Sequence, residues 1–285
     1  MKNKRYFLPF LFLWMACETE VTVTPPDYDS KLVVNGLLSN DEPIQVAVSY
    51  SVVALSTLQP GYLQDAVVEI WEDSISIGIG VYDVFDKSYQ WPNFPQAGKT
   101  YRVRVEHPDY PIVDETLTMP SSNAFGGLTY IDSVGLDTSG QALSALLLRI
   151  NDPASESNYY RVNYSYYNQI TASFLPFTFN TSDPVLLNPS TEKEDDGSYL
   201  FDDALFNGSS QDIRIEFSRG VATGTPQFMV VGESLSNDFF RYQISLQRYA
   251  DAASPFENEP VFIFSNIEGG LGIWAGKISE RDTIY

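Results

Sequence analysis

The sequence predicts a mainly β protein of two β-sandwich-like domains, with one α-helix in the C-terminal half at about 237–253. Three observations carry that expectation. Apolar and polar residues alternate over short runs, the period of a half-buried strand. Gly- and Pro-containing turns interrupt those runs at intervals of about 8–15 residues. Aromatic residues make up 14% of the 285 positions, with 18 Tyr and 18 Phe, a composition that favours pleated surfaces. A chain of this length can bury two cores, and the usual domain size suggests two domains.

The start of the chain is a different kind of segment. Lys2, Lys4 and Arg5 precede an apolar run from Tyr6 to Ala16, which ends at Cys17, the one cysteine present. A basic start, a short apolar core, a small residue and then cysteine form the pattern of a bacterial lipoprotein signal peptide. The run is well short of the ~20 residues a spanning helix needs. Residues 1–16 are therefore expected to be removed and Cys17 to be acylated. Residues 17–30 are polar, contain Pro25 and Pro26, and read as a lipidated tether.

The first domain is expected over 31–120. Leu32–Leu37 is its first strand, followed by Ile44, Val46, Val48 and Tyr50 alternating with Gln45, Ala47 and Ser49. Ala66–Trp71 is the third. Ile75–Val84 and Ser88–Trp91 read as a hairpin region. Tyr101, Val103 and Val105 alternate with Arg102 and Arg104, and Val113–Met119 closes the domain after a turn at His107–Pro111.

The second domain is expected over 121–285, after a linker from Pro120 to Gly127. Tyr130–Leu136, Ala142–Ile150, Tyr159–Tyr167, Ile213–Phe217 and Gln227–Leu235 read as strands. Residues 168–208 are weakly patterned and acidic, and a loop of that length is commonly functional or mobile. Ser236 is placed to cap a helix. Phe239, Tyr242, Leu246 and Tyr249 share one helical face and are expected to pack on the sheet. Gly269-Gly270-Leu271-Gly272 follows a strand pattern over Val261–Ser265 but precedes no helix, so it reads as a bulge or tight turn before a closing strand and not as a phosphate loop.

Composition limits the chemistry. The formal net charge is −20, and loss of residues 1–16 removes three basic residues and no acidic one, deepening it to −23. Such a surface repels nucleic acid. One cysteine allows no internal disulfide. One histidine, His107 in a turn-like stretch, leaves neither a Cys/His zinc set nor a convincing Ser-His-Asp triad. No cofactor motif is present, and no catalytic residue is assigned. Candidate ligand contacts are Trp91, Tyr89 and Phe94 in Tyr-Gln-Trp-Pro-Asn-Phe-Pro, because exposed aromatics stack on sugars or fill pockets. Trp71 and Trp274 lie in strand patterns and read as core. Asp195, Asp196, Asp202 and Asp203 are candidate calcium ligands, although they lack the EF-hand order.

Seven stretches carry a family resemblance: Lys31-Leu-Val-Val-Asn-Gly-Leu-Leu, Ala66-Val-Val-Glu-Ile-Trp-Glu, Gly98-Lys-Thr-Tyr-Arg-Val-Arg-Val, Asp152-Pro, Asn158-Tyr-Tyr-Arg, Asp203-Ala-Leu-Phe-Asn-Gly and the run from Glu259 through Gly276. In order and over nearly the whole mature chain they resemble the Bacteroidota lipoprotein group known as domain of unknown function 4249. The resemblance implies an outer-membrane lipoprotein working beside a TonB-dependent transporter, and it brings no catalytic residues. The first domain is also similar to Ig-like and transthyretin-like sandwiches through the Gly98–Val105 strand and the Tyr110-Pro111 turn, a likeness of fold alone. Glu18 and Glu20, just after the lipid cysteine, resemble a surface-export signal of that phylum. The expected role is a non-catalytic binding or accessory component in nutrient uptake. A carboxylate-based glycan hydrolase and a calcium-binding surface adhesin are the alternatives.

Overall fold

The structure is a computed structural model describing residues 28–53, 60–121, 124–154, 156–177, 179–219, 227–252 and 261–284. The signal segment, Cys17, Glu18 and Glu20 lie outside the described residues. The chain is mainly β, as its alternation requires. Its strands are β1 (Leu32–Ser39), β2 (Gln45–Tyr50), β3 (Val67–Glu72), β4 (Ile75–Ile79), β5 (Val81–Asp83), β6 (Ser88–Gln90), β7 (Thr100–His107), β8 (Tyr110–Thr118) and β9 (Phe125–Leu136). They continue as β10 (Ala142–Asn151), β11 (Tyr159–Asn168), β12 (Ser173–Pro176), β13 (Glu192–Lys193), β14 (Tyr199–Asp202), β15 (Ser210–Ser218) and β16 (Phe228–Leu235). Helix α1 (Asn237–Asp251) and β17 (Leu271–Ile284) follow.

One ten-stranded sheet runs through the molecule in the order β13-β14-β11-β16-β17-β1-β2-β6-β5, with β12 attached to β11. Two smaller sheets cover it. The sheet β4-β3-β7-β8 lies over the β1/β2 half, and β15-β10-β9 lies over the β11/β16 half. The first core is largely aliphatic, built from Leu32, Val34, Val46, Val48, Val68, Ile70, Val103 and Val105. The second is aromatic, with Tyr160, Tyr164, Phe201, Phe206, Phe217 and Phe228. Helix α1 packs on the opposite face of the large sheet, where Phe239 and Phe240 meet Leu200, Leu235, Ile273 and Ala275.

The expected division at residue 120 needs correction, because the first sandwich is completed from the far end of the chain. Strand β17 pairs in parallel with β1, from Val33 opposite Leu271 to Ser39 opposite Lys277, and antiparallel with β16. Its even-numbered residues serve both cores: Trp274 and Ile278 enter the first, and Ile284 packs against the second. Trp274 is fully buried and its Nε1 donates to the Tyr101 carbonyl at 3.0 Å. The closing strand fits because of two glycines. Gly272 has φ +112°, and a Cβ there would lie 2.1 Å from the Val34 carbonyl oxygen. A Cβ on Gly36 would lie 2.4 Å from the Trp274 ring. The glycine run is thus the turn and close approach expected before a closing strand.

Other expectations shift in detail. The hairpin region expected over 75–84 and 88–91 holds for β5 and β6, which pair antiparallel, whereas β4 pairs with β3 and the chain changes sheets at Gly80. The linker reading stops short, because β9 begins at Phe125. Val261–Ser265 is not a strand. The weakly patterned 168–208 stretch carries β12, β13 and β14 at the sheet's edge. In α1, Ser236 Oγ accepts the Phe239 N–H at 3.3 Å as the cap requires. The buried face is narrower than the spacing suggests, since Tyr249 is exposed and Phe240 takes part.

Candidate functional site

The aromatic candidates separate. Tyr89 and Trp91 are core residues and not ligand contacts, which corrects their reading as exposed rings: they are 2% and 3% exposed. Tyr89 stands opposite Val46, and its hydroxyl donates to the Leu63 carbonyl at 3.1 Å. The Trp91 indole donates to the Gly78 carbonyl at 2.9 Å. Buried aromatic rings whose polar ends are hydrogen-bonded are held for packing. Phe94 is half exposed. His107 sits at the β7–β8 turn, where its Nδ1 accepts the Asp109 N–H at 3.2 Å.

The acidic candidates do not converge either. Asp196 is bonded to Arg161, Asp202 accepts the Ala204 N–H, and Asp203 is buried and accepts the Asn158 N–H at 2.8 Å. Asp195 is exposed on the β13–β14 turn. Among the described residues no group of three or more His, Cys, Asp or Glu side chains is placed to hold a metal ion. The four-aspartate calcium set is corrected accordingly: the register of β14 points Asp203 into the protein while Asp195 and Asp196 stay on the surface.

The structure instead builds a charged platform on the outer face of the large sheet, beside α1. Arg161 on β11 lies opposite Glu233 on β16. Its guanidinium reaches Glu194 through Nε, Asp196 through Nη2 at 2.7 Å and Glu233 through Nη1 at 3.3 Å. Lys277 on β17 holds the other oxygen of Glu233 at 2.6 Å. The β13–β14 turn folds back to bring Glu194 and Asp196 over the strand, and Asn163 donates to Ser198 at 3.0 Å. A groove of about 290 Å³ opens over Arg161, Asn163, Val231 and Glu233. A second, of about 320 Å³, lies beyond Asp196 between Phe177, Phe179 and the acidic turn.

The electrostatics of the platform follow from burial. Burial pushes the Glu194 carboxyl above its ordinary range despite its contact with Arg161, and Asp196 and Glu233 add to the rise. Burial also opposes the Arg161 charge, but Glu194, Glu233 and Asp196 outweigh it and hold the guanidinium firmly protonated. Two cations thus face three carboxylates, one excess negative charge before Asp195 is counted. Such a surface favours a cationic or hydrogen-bond-donating partner group. Sequence reasoning singled out Asp195 and Asp196 but missed Arg161, Glu194, Glu233 and Lys277 as a set. The legible signal was a lone charge inside an otherwise apolar strand, as in Phe-Met-Val-Val-Gly-Glu-Ser-Leu.

Three of the stretches that carry the family resemblance meet elsewhere. Asp152 accepts the Tyr160 hydroxyl at 2.6 Å and the Gly208 N–H at 2.7 Å, and Asp203 accepts from Asn158. Asp152-Pro, Asn158-Tyr-Tyr-Arg and Asp203-Ala-Leu-Phe-Asn-Gly are therefore one buried latch tying β11 to the loops on either side. Burial raises both the Tyr160 phenol and the Asp203 carboxyl. Beside the latch a cleft of about 500 Å³, lined by Gly98, Pro120, Ser121, Asn158, Tyr159 and Asn237, marks where the two sandwiches meet.

A β-rich protein of two sandwiches on one shared sheet, with a charged outer platform, is the class defined here. The chain belongs to the family described as domain of unknown function (DUF4249), whose model matches residues 18–280. Among curated proteins none matches it. A solved structure from Corynebacterium diphtheriae, provisionally described as a membrane anchored protein, aligns at 14% identity with a TM-score of 0.23. The alignment covers 73% of this chain and 55% of that one, so the chain spans about half the length of that protein. No helix among the described residues is long and apolar enough to cross a membrane.

Proposed function

We propose that this chain is an outer-membrane lipoprotein, held by acyl groups on Cys17 and displayed at the cell surface. It acts without catalysis as a binding or accessory component beside a TonB-dependent transporter in nutrient uptake. The observation that carries the reading is the basic start, short apolar run and single cysteine over residues 2–17. The platform supports the binding half of the reading. Its charges are held in fixed pairs on a rigid sheet, a preorganised surface for recognition. Asp195 and Asp196 at its rim supply charge complementarity to a basic partner surface.

The test has two parts. Radiolabelled palmitate is expected to enter the wild-type chain and not Cys17→Ser, and Cys17→Ser is expected to leave the membrane fraction. Tagged protein drawn from detergent-solubilised outer membrane is expected to bring a TonB-dependent transporter with it. Asp195→Asn is expected to weaken that association without changing the melting temperature. Unlabelled wild-type protein, or transporter recovery equal to an untagged control, would overturn the reading.

A further inference from the structure

The described structure begins where the tether ends, and the same end of the large sheet carries an apolar turn with no packing partner. Tyr28, Ser30 and Lys31 are pinned to Ser51, just past β2: the Tyr28 hydroxyl donates to Ser51 Oγ at 2.7 Å, Ser30 Oγ to the Ser51 carbonyl at 2.7 Å, and the Lys31 N–H to Ser51 Oγ at 2.9 Å. The register then carries this level across the sheet. Leu32 lies opposite Tyr50, and Val46 opposite Tyr89. The direction of β6 then points residues 84–87, the turn between β5 and β6, toward the same end of the sheet as the start of β1, while residues 61–63 take the edge of β2 there. Lys87 lies over the ring of Tyr62, which itself bridges to Ser49 at this end.

The turn presents Val84, 61% exposed, and Phe85, 89% exposed. Its backbone is fixed, because Asp83 Oδ1 accepts the N–H groups of Phe85 at 2.7 Å and Asp86 at 3.0 Å. Three strand spacings of about 4.8 Å separate β1 from β5, so turn and tether lie roughly 15 Å apart. From Cys17 to Tyr28 the chain can span at most about 40 Å, ample for the acyl groups and the turn to meet one surface. Val81, the other exposed aliphatic side chain of β5, lies further from the tether along the strand.

We propose that the Val84–Phe85 turn is a second, apolar contact with the lipid surface to which Cys17 holds the chain, fixing the tether end of the large sheet against the bilayer. The inference rests on the acylation reading above. Several acyl chains hold the protein at the surface without orienting it, and an apolar contact beside them adds buried area and fixes the orientation. Charge selects the kind of surface. Asp83, Asp86 and Lys87 leave the turn at a net −1 on a strongly acidic chain, so the partner is a zwitterionic headgroup layer and not an anionic one.

The test uses the acylated full chain, whose sole native cysteine is occupied by lipid. Phe85→Cys introduces a free thiol for an environment-sensitive dye. Ile170→Cys is the control: it is 94% exposed, and it follows β11, whose last residues lie level with Ile284 at the other end of the 14-residue β17. At about 3.3 Å per residue that end is roughly 45 Å away. In vesicles of dioleoylphosphatidylcholine containing acyl-chain nitroxide lipid, dye at 85 is expected to shift to the blue and be quenched, and dye at 170 to do neither. Water-like emission at 85 in protein that has incorporated palmitate would overturn this inference and leave the anchor standing. Quenching at both positions would also overturn it, because the contact would then not be specific to the turn. Failure of palmitate to enter would overturn the anchor and this inference together.

Discussion

The two sandwiches share a sheet but are built on different physics. The first has a largely aliphatic core in which β2, β3 and β7 alternate, so burial sets their register: a one-residue slip would turn Val46 and Val48, or Val103 and Val105, out to water. The second has an aromatic core with rings in edge and tilted contact, such as Phe177 on Phe217 at 5.1 Å and Phe217 on Phe228 at 4.9 Å. Tyrosines there bring hydroxyls inside, and a buried hydroxyl needs a partner. Asp152 answers for Tyr160, while the buried Tyr164 hydroxyl has no hydrogen-bond partner. The first half is specified mainly by aliphatic alternation, and the second by ring packing together with the Asp152 latch.

The sharpest way to break that comparison is at the residue the halves share. Trp274→Ala is expected to cost about 4 kcal/mol, since a fully buried ring is lost with a partly collapsed cavity left behind. Both sandwiches are expected to lose their structure in one urea transition, because β17 belongs to both. Two separated transitions would show the halves to be independent. Arg161→Met acts on the second half alone. Arg161 is 21% exposed in its side chain and Glu233 only 7%, so loss of the cation is expected to cost about 2 kcal/mol after allowance for solvent. Its pH dependence has a definite sign. The Glu194 carboxyl sits above its unfolded value in the folded protein, so folding binds a proton more readily there. Acidification through the folded pKa therefore relieves the penalty. The deficit of Arg161→Met relative to wild type is expected to be largest at neutral pH and to shrink as Glu194 takes up a proton, read as melting temperature against pH.

The smallest effect compares the two covering sheets, each of which carries an exposed cross-strand Arg–Asp pair. Arg102 faces Asp114 in the first, and Arg149 lies 2.7 Å from Asp212 in the second. In each case a side-chain hydrogen bond from the arginine holds the carboxyl below its ordinary range. The stabilisation is thus present above the unfolded carboxylate pKa and lost as pH falls through the lower folded value. Asp114→Asn and Asp212→Asn are each expected to cost about 0.5 kcal/mol at neutral pH, less at high salt and nothing at low pH. A clear excess at either site would sharpen the contrast by showing that one covering sheet depends on charge.

Alternation made most strands legible at the level of individual residues: Val46 and Val48, Val103 and Val105, and Ile213, Ile215 and Phe217 are buried as their spacing requires. The Ser236 cap was legible too, because capping is a local event. The site was much less so. Trp91 looked like an exposed ring, since nothing within its own stretch reveals that Gly80 leads a neighbouring strand beneath it. The platform draws on β11, the β13–β14 turn, β16 and β17, spread over more than a hundred residues, and each of its charges looks unremarkable alone.

Local sequence, by itself, determined the strand periods, the helix start and the glycines of the closing turn, because each depends on side-chain spacing or backbone freedom within a few residues. Only the tertiary structure decided that the last strand completes the first sandwich, that three of the stretches carrying the family resemblance form one latch, and which end of the sheet the tether shares with Phe85. Those outcomes depend on which distant strands pair, and pairing is settled by burying Trp274 and its neighbours from two directions at once.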